Sequence, residues 1–90
     1  MQLFWREHKI GFRLILEHEN NEQEVGMIRK TPRGFDAMAK TFGYDPGRAQ
    51  KDINSFEEAK EFVESFHPWE MFVGQVDLEV ETEIRPIPQG

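Results

Sequence analysis

The sequence contains no cysteine, and this absence excludes a whole group of chemistries. Disulfide bonds, thiolate-bound zinc, iron–sulfur clusters and cysteine nucleophiles all require thiol groups. A chain without disulfides fits a reducing compartment, and we expect a cytoplasmic protein. The first residues carry charges at Arg6, Glu7 and Lys9, so neither a signal peptide nor a membrane anchor is predicted.

Long apolar runs are also missing from the sequence. No stretch approaches the roughly 20 apolar residues that a membrane-spanning helix needs. The 38% hydrophobic content, which includes eight phenylalanines and two tryptophans, is nevertheless enough for one core. With 90 residues, the chain is predicted to form a single domain over residues 1–85, followed by a short proline-containing tail over residues 86–90.

Motifs of catalysis and metal binding are absent as well. The sequence has no GxGxxG, P-loop, GxSxG or HExxH pattern. The spacing of His8, His18 and His67 is not that of metal ligands. Ser55 and Ser65 both belong to the cap or the body of a predicted helix. We therefore predict no catalytic residue, no cofactor and no metal, and we expect a non-enzymatic protein.

Basic residues are outnumbered by acidic ones, and the net charge of −6 argues against general nucleic-acid binding, which needs surplus lysine and arginine. The charge is unevenly distributed, however. Residues 29–51 contain six basic and two acidic residues and carry +4, so the rest of the chain carries −10. Basic residues interleaved with aromatic ones can hold single-stranded nucleic acid. This segment supplies a candidate interaction surface: Arg29, Lys30, Arg33, Lys40, Tyr44, Arg48 and Lys51.

Residues 75–84, QVDLEVETEI, alternate between apolar and mostly acidic positions and are predicted to form the closing strand of a sheet. A straight strand does not gather the roughly six to eight oxygens that a calcium ion prefers, and it offers no cleft for a catalytic carboxylate pair. We predict a solvent-facing surface that keeps other strands away, with peptide binding and metal or catalytic chemistry as alternatives. This candidate acidic face consists of Asp77, Glu79, Glu81 and Glu83.

The clearest predicted element is a helix over residues 56–66. Ser55 and Glu58 have the spacing of a capping box, in which each side chain bonds to the backbone amide of the other residue. Pro68 prevents the helix from continuing. Apolar residues recur at helical spacing along one side and predict the buried stripe: Phe56, Ala59, Phe62, Val63 and Phe66.

Three segments near the N-terminus are predicted as strands: residues 3–7, 11–18 and 24–30. The last two are joined by a polar loop of five or six residues and form a hairpin. Residues 35–42 place apolar side chains at i, i+3, i+4 and i+7 and precede Gly43, which predicts a short helix. A strand is the alternative for this segment.

Together these elements predict an α+β fold, with a three- to four-stranded antiparallel sheet and both helices, 56–66 and 35–42, on one face. The function predicted is that of a small cytoplasmic protein-binding or accessory domain whose partner is a protein. One alternative is a module that contacts nucleic acid through residues 29–51. Another is an enzyme without a recognisable motif. The partner's identity and the oligomeric state stay open.

Overall fold

The computed structural model describes residues 1–43, 45–75 and 77–87. Within these residues an antiparallel sheet of five strands, in sequence order, packs against a bent helix. The predicted α+β class is confirmed, with more strands than expected. The elements are β1 (Gln2–His8), β2 (Gly11–His18), β3 (Asn21–Thr31), β4 (Gly34–Ala39), β5 (Ala49–Ile53), α1 (Phe56–Ser65) and α2 (Glu70–Val73), with a 3-10 turn at Pro46–Arg48 before β5.

The hairpin between β2 and β3 is tighter than predicted. Glu19 and Asn20 form a two-residue turn with φ values of 50° and 65°, because a two-residue hairpin of the favoured type needs positive φ at both central positions. The ladder then runs from the pair His18 and Asn21 onward. Polar residues after Asn20, which predicted a longer loop, are therefore already part of β3.

The covered face of the sheet lies beneath α1. Cross-strand pairing aligns Trp5 with Leu14, and Leu14 with Gly26. A Cβ at Gly26 would lie 2.5 Å from Cγ1 of Val63, so only glycine lets α1 approach the sheet this closely. The indole Nε1 of Trp5 donates a hydrogen bond of 2.9 Å to Oε2 of Glu64. This contact satisfies the polar atom of a fully buried ring.

The segment predicted as a short helix, residues 35–42, is a strand, β4, over Gly34–Ala39. Phe35, Ala37 and Ala39 alternate toward α1, while Met38 points to the other side and is 41% exposed. A helix of two turns is marginal by itself, whereas pairing with β3 and β5 gives the backbone of β4 hydrogen-bond partners on both sides. Phe42 lies beyond the strand and is 78% exposed.

The predicted closing strand, residues 75–84, is not a strand in the part of it that the structure describes, which leaves out Val76. It runs as an extended segment along the outer edge of β1. Leu78, Val80 and Ile84 pack against the core, as the alternation predicts. Three backbone hydrogen bonds of 2.8–2.9 Å hold the segment: Glu81 N to Leu3 O, Arg85 N to Trp5 O and Glu7 N to Arg85 O.

The N-terminus of α1 is the predicted one. The backbone amide of Glu58 donates to Oγ of Ser55 at 3.2 Å, which is one of the two hydrogen bonds of the predicted capping box. The reciprocal bond from the Ser55 amide to the Glu58 carboxylate is absent from the side-chain hydrogen bonds of the described residues. After α1 the chain bends at His67, where φ is 48°, and continues into α2. None of the helices in the described part of the chain has the length and apolar character needed to cross a membrane.

Candidate functional site

The second face of the sheet, here called the open face, has no helix over it among the described residues. Side chains that alternate with the core positions point to this side. The cross-strand register places one row of them directly side by side across all five strands: Arg6, Arg13, Met27, Met38 and Ala49. The open face therefore carries both apolar side chains and arginines. Which of them are neighbours is decided by the pairing of the strands.

Two methionines form an apolar patch in the middle of this row. Met27 and Met38 are cross-strand partners, and with Ala49 they line a cleft of about 230 Å³. We call Met27, Met38 and Ala49 the methionine patch. Methionine is flexible and polarisable, so it adapts to the shape of a partner surface.

The rim of the methionine patch is basic. Arg29 and Lys51 both line the cleft. Arg29 Nη2 lies 3.3 Å from Asp36 Oδ2, but the arginine side chain is 52% exposed and the aspartate side chain only 19%. The Asp36 carboxylate also accepts a hydrogen bond from the Asp52 amide at 3.2 Å. The exposed charge at this rim is therefore mainly positive.

The residues that were predicted to form one basic interaction surface lie at several separate places in the structure. Arg29 and Lys51 flank the methionine patch. Lys30 lines a separate cleft beside Phe12, and Arg33 lies exposed in the turn between β3 and β4. Lys40 and Arg48 meet beyond the end of β4, and Tyr44 lies outside the described residues.

Arg48 has a structural role in this arrangement. Its Nη2 donates to the carbonyl of Lys40 at 2.8 Å and its Nε to the carbonyl of Ala39 at 3.4 Å. Its guanidinium lies 5.0 Å from the ring centre of Phe66, which is within cation–π range. Arg48 therefore ties the start of β5 to the end of β4 through its donors, and its guanidinium contacts Phe66 at the end of α1.

Three carboxylates of the candidate acidic face, those of Glu79, Glu81 and Glu83, line one open cleft of about 450 Å³. Asp77, Glu79 and Glu83 are exposed, and Glu81 Oε2 accepts from Arg85 Nη2 at 2.9 Å. Among the described residues, no group of three acidic, histidine or cysteine side chains is placed to hold a metal ion. The row faces solvent along the edge of β1.

The three histidines lie far apart in the fold. His8 ends β1 and His18 ends β2, at opposite ends of the same hairpin. His67 lies at the bend after α1, where its ring stacks on Trp69 with centroids 5.1 Å apart. They form no common cluster.

Arginines on the open face form ion pairs near β1. Arg6 donates to both carboxylate oxygens of Glu22, at 2.9 and 2.7 Å. This hydrogen-bonded contact lowers the pKa of Glu22 below its ordinary value and raises the pKa of Arg6. Arg85 lies 3.6 Å from the ring centre of Phe4, and it binds Glu81 as well.

Sequence reasoning did not find the open-face row. The signal that could have found it is the alternation in β2, where Arg13 and Ile15 alternate with Leu14 and Leu16. This alternation places the apolar Ile15 on the same side as Arg13, and Ile15 is 6% exposed. Which residues of β3 and β4 stand beside Arg13 depends on register.

No protein-family model, curated protein or solved structure matches this chain. Its function therefore has to be inferred from the geometry of its own residues.

Proposed function

We propose that this chain is a non-enzymatic protein-binding domain, and that the methionine patch receives an extended segment of a partner protein with apolar and acidic side chains. The observation that carries the proposal is the cross-strand pair Met27 and Met38 on a sheet face without a covering helix among the described residues. The cleft at this pair is bordered by Arg29 and Lys51.

The composition of the open face supports a protein partner. Methionine, arginine and aromatic residues are enriched at the buried centres of protein interfaces, while most other charged residues are depleted there. Met38 is 41% exposed, so part of its apolar surface is available for burial. Burying an apolar side chain contributes about 25 cal/mol per Å² removed from water.

Charge complementarity supports an acidic segment. Arg29 and Lys51 rim the patch, and Asp36 is largely withdrawn from solvent by its contacts with Arg29 and the Asp52 amide. A partner segment with an acidic side chain next to an apolar one could place the carboxylate beside a basic group of the rim and the apolar side chain against the methionines. Such charges act mainly on association rate and specificity.

Nucleic-acid binding is the alternative function, and the basic residues give it less support. Arg48 is engaged by two backbone carbonyls and Arg29 by Asp36. Lys30, Arg33 and Lys40 lie at separate places around the sheet. Nucleic-acid grooves need a continuous basic track with stacking aromatics.

A peptide-display selection tests the proposal and needs no identified partner. The immobilised chain should enrich extended peptides that combine apolar and acidic residues. Met38→Glu should abolish binding of the selected peptides, because it places a carboxylate in the apolar cleft. Ile10→Glu is the matched control, since Ile10 is 53% exposed and lies in the turn between β1 and β2.

Selected peptides that bind Met38→Glu as well as the wild type would contradict the proposal. Labelled single-stranded DNA and RNA, titrated at several salt concentrations, test the alternative function. Salt-dependent binding by the wild type that Lys51→Glu removes would favour nucleic acid. A general enzymatic screen tests the third possibility, an enzyme.

A further inference from the structure

Three arginines near β1 differ in how well their donors are satisfied. Arg6 binds Glu22 through two hydrogen bonds of 2.9 and 2.7 Å. Arg85 binds Glu81 at 2.9 Å. Arg13 Nη1, in contrast, lies 3.6 Å from Oε2 of Glu24, which is too long for a hydrogen bond.

The Nε of Arg13 is buried and has no hydrogen-bond partner, alone among the buried side-chain nitrogens and oxygens of the described residues. A buried donor without a partner costs free energy, and native structures contain few of them. Arg13 also stands directly opposite Arg6 on β1, a like-charge pair that is unfavourable across strands. Glu22 and Glu24 already offset part of this repulsion, whereas the Nε of Arg13 would gain a partner only from a further acceptor.

A cleft of about 390 Å³ lies at this place on the open face. Arg6, Arg13, His8 and Lys9 line it, together with the apolar side chains of Ile15 and Ile87. The carboxylates of Glu7, Glu22 and Glu24 border it as well. Glu22 is already held by Arg6, and Lys9 takes part in none of the ion pairs of the described residues. Arg13 and Lys9 are thus the basic groups with donors to spare.

We infer that this cleft, here called the arginine cleft, binds a small anionic group, a carboxylate or a phosphate, with Arg13 as its main donor and Lys9 as a second one. The fork of a guanidinium matches two oxygens of a carboxylate or phosphate. Ile15 and Ile87 would contact the apolar part of the ligand, as pocket walls commonly do. This site is separate from the methionine patch and does not depend on the proposed function.

Binding requires a change at Arg13. Because Nε is buried while the side chain as a whole is 40% exposed, the guanidinium must turn toward the cleft for Nε to reach a ligand oxygen. The contact with Glu24 that it would give up is a loose one. A fork–fork contact with the ligand would replace it.

The test is a titration of the ¹⁵N-labelled protein with inorganic phosphate and, separately, with succinate, at constant ionic strength. Backbone amides of residues 6–15 and the Nε–H signal of Arg13 are followed. Saturable shifts with phosphate alone assign a phosphate group, and saturable shifts with succinate alone assign a carboxylate. Saturation with both indicates a general anion site.

Arg13→Gln should weaken binding about tenfold or more, because a charge-assisted hydrogen bond is lost. Because Lys9 lies in a turn, Lys9→Gln should destabilise the fold less than Arg13→Gln. We expect Lys9→Gln to weaken binding about two- to fivefold. Arg29→Gln, on the same face, is the control and should bind as the wild type does. Unsaturable shifts with both anions, or equal binding by Arg13→Gln and the wild type, would overturn the inference.

Discussion

The two faces of the sheet are built from the same strands but differ in what covers them. On the covered face, Trp5 and Leu14 are fully buried beneath α1, and Val63 is the fully buried side chain that α1 places against them. On the open face, Met38 is 41% exposed, and arginines and glutamates lie on the neighbouring strands. Each strand supplies both faces because successive side chains point to opposite sides. Helix α1 therefore buries the core side chains of one face, while the other face has no helix over it in the described part of the chain.

One part of the open face is an exception. Phe4 points to this side and yet is fully buried, because the guanidinium of Arg85 lies 3.6 Å from its ring centre. The segment along the edge of β1 thus covers one corner of the open face. The methionine patch lies at the other end of the sheet, toward β5.

The largest expected effect is on the covered face. Trp5→Ala removes a fully buried ring and leaves the carboxylate of Glu64 without its indole partner. We expect the free energy of unfolding to fall by about 3–5 kcal/mol, measured by urea denaturation. A loss below about 1 kcal/mol would show that the covered face does not contribute more to stability than the open face.

The next largest effect is expected at Gly26, where α1 lies closest to the sheet. Gly26→Ala should cost about 1–3 kcal/mol, because a Cβ there would lie 2.5 Å from Cγ1 of Val63. Gly43→Ala is the matched control, since a Cβ at Gly43 meets nothing within 4 Å. If Gly26→Ala costs as much in a Val63→Ala background as it does in the wild type, the close approach is not the cause.

A smaller effect concerns the start of the helix that covers the sheet. Ser55→Ala removes the oxygen that accepts from the Glu58 amide and should cost about 0.5–2 kcal/mol. Ser65→Ala is the control at the other end of α1, with an expected change within about 0.5 kcal/mol. An unchanged denaturation midpoint for Ser55→Ala would mean that this cap does not stabilise α1.

The ion pairs of the open face should contribute less. Contact with Arg6 lowers the pKa of Glu22, so the pair stabilises the fold above the ordinary glutamate value of 4.5. This contribution is lost as the pH falls through the lowered pKa. The Glu22 side chain is 42% exposed, so solvent limits the contribution to about 0–1 kcal/mol.

Denaturation of the wild type and Glu22→Gln at pH 7 and pH 3 measures this contribution. The difference in stability between the two proteins should shrink at pH 3. An equal difference at both pH values would show that Glu22 acts by packing and not by charge.

The smallest effect is expected in the methionine patch. Met38→Ala shortens a side chain that is 41% exposed and should change the free energy of unfolding by less than about 0.5 kcal/mol. Trp5→Ala in the same assay is the comparison. A loss above about 2 kcal/mol would make Met38 part of the core and remove it as a recognition residue.

Helix α1 could be predicted because its signals are local. The cap needs two residues three positions apart, and the apolar stripe repeats within the helix. The depth of burial along the stripe was harder to predict. Phe62, the centre of the predicted stripe, is only half-buried and packs against Phe66 with ring centroids 5.1 Å apart, whereas Val63 is fully buried.

The candidate sites were only partly predictable. The charge of residues 29–51 pointed to Arg29 and Lys51, which flank the methionine patch. The patch itself, and the meeting of Arg6 with Arg13, depend on residues distant in sequence that pairing brings together. A sequence pattern does not contain the register that decides these neighbours.

Local sequence patterns were sufficient for the α+β class, the helix start at Ser55 and the inward side of residues 77–84. These features follow from short-range periodicity and capping. Tertiary contacts selected the strand at residues 34–39, and they hold the closing segment along β1 without making it a strand. The physical reason is that a short apolar segment satisfies several local patterns, and the backbone partners available in the folded sheet select among them.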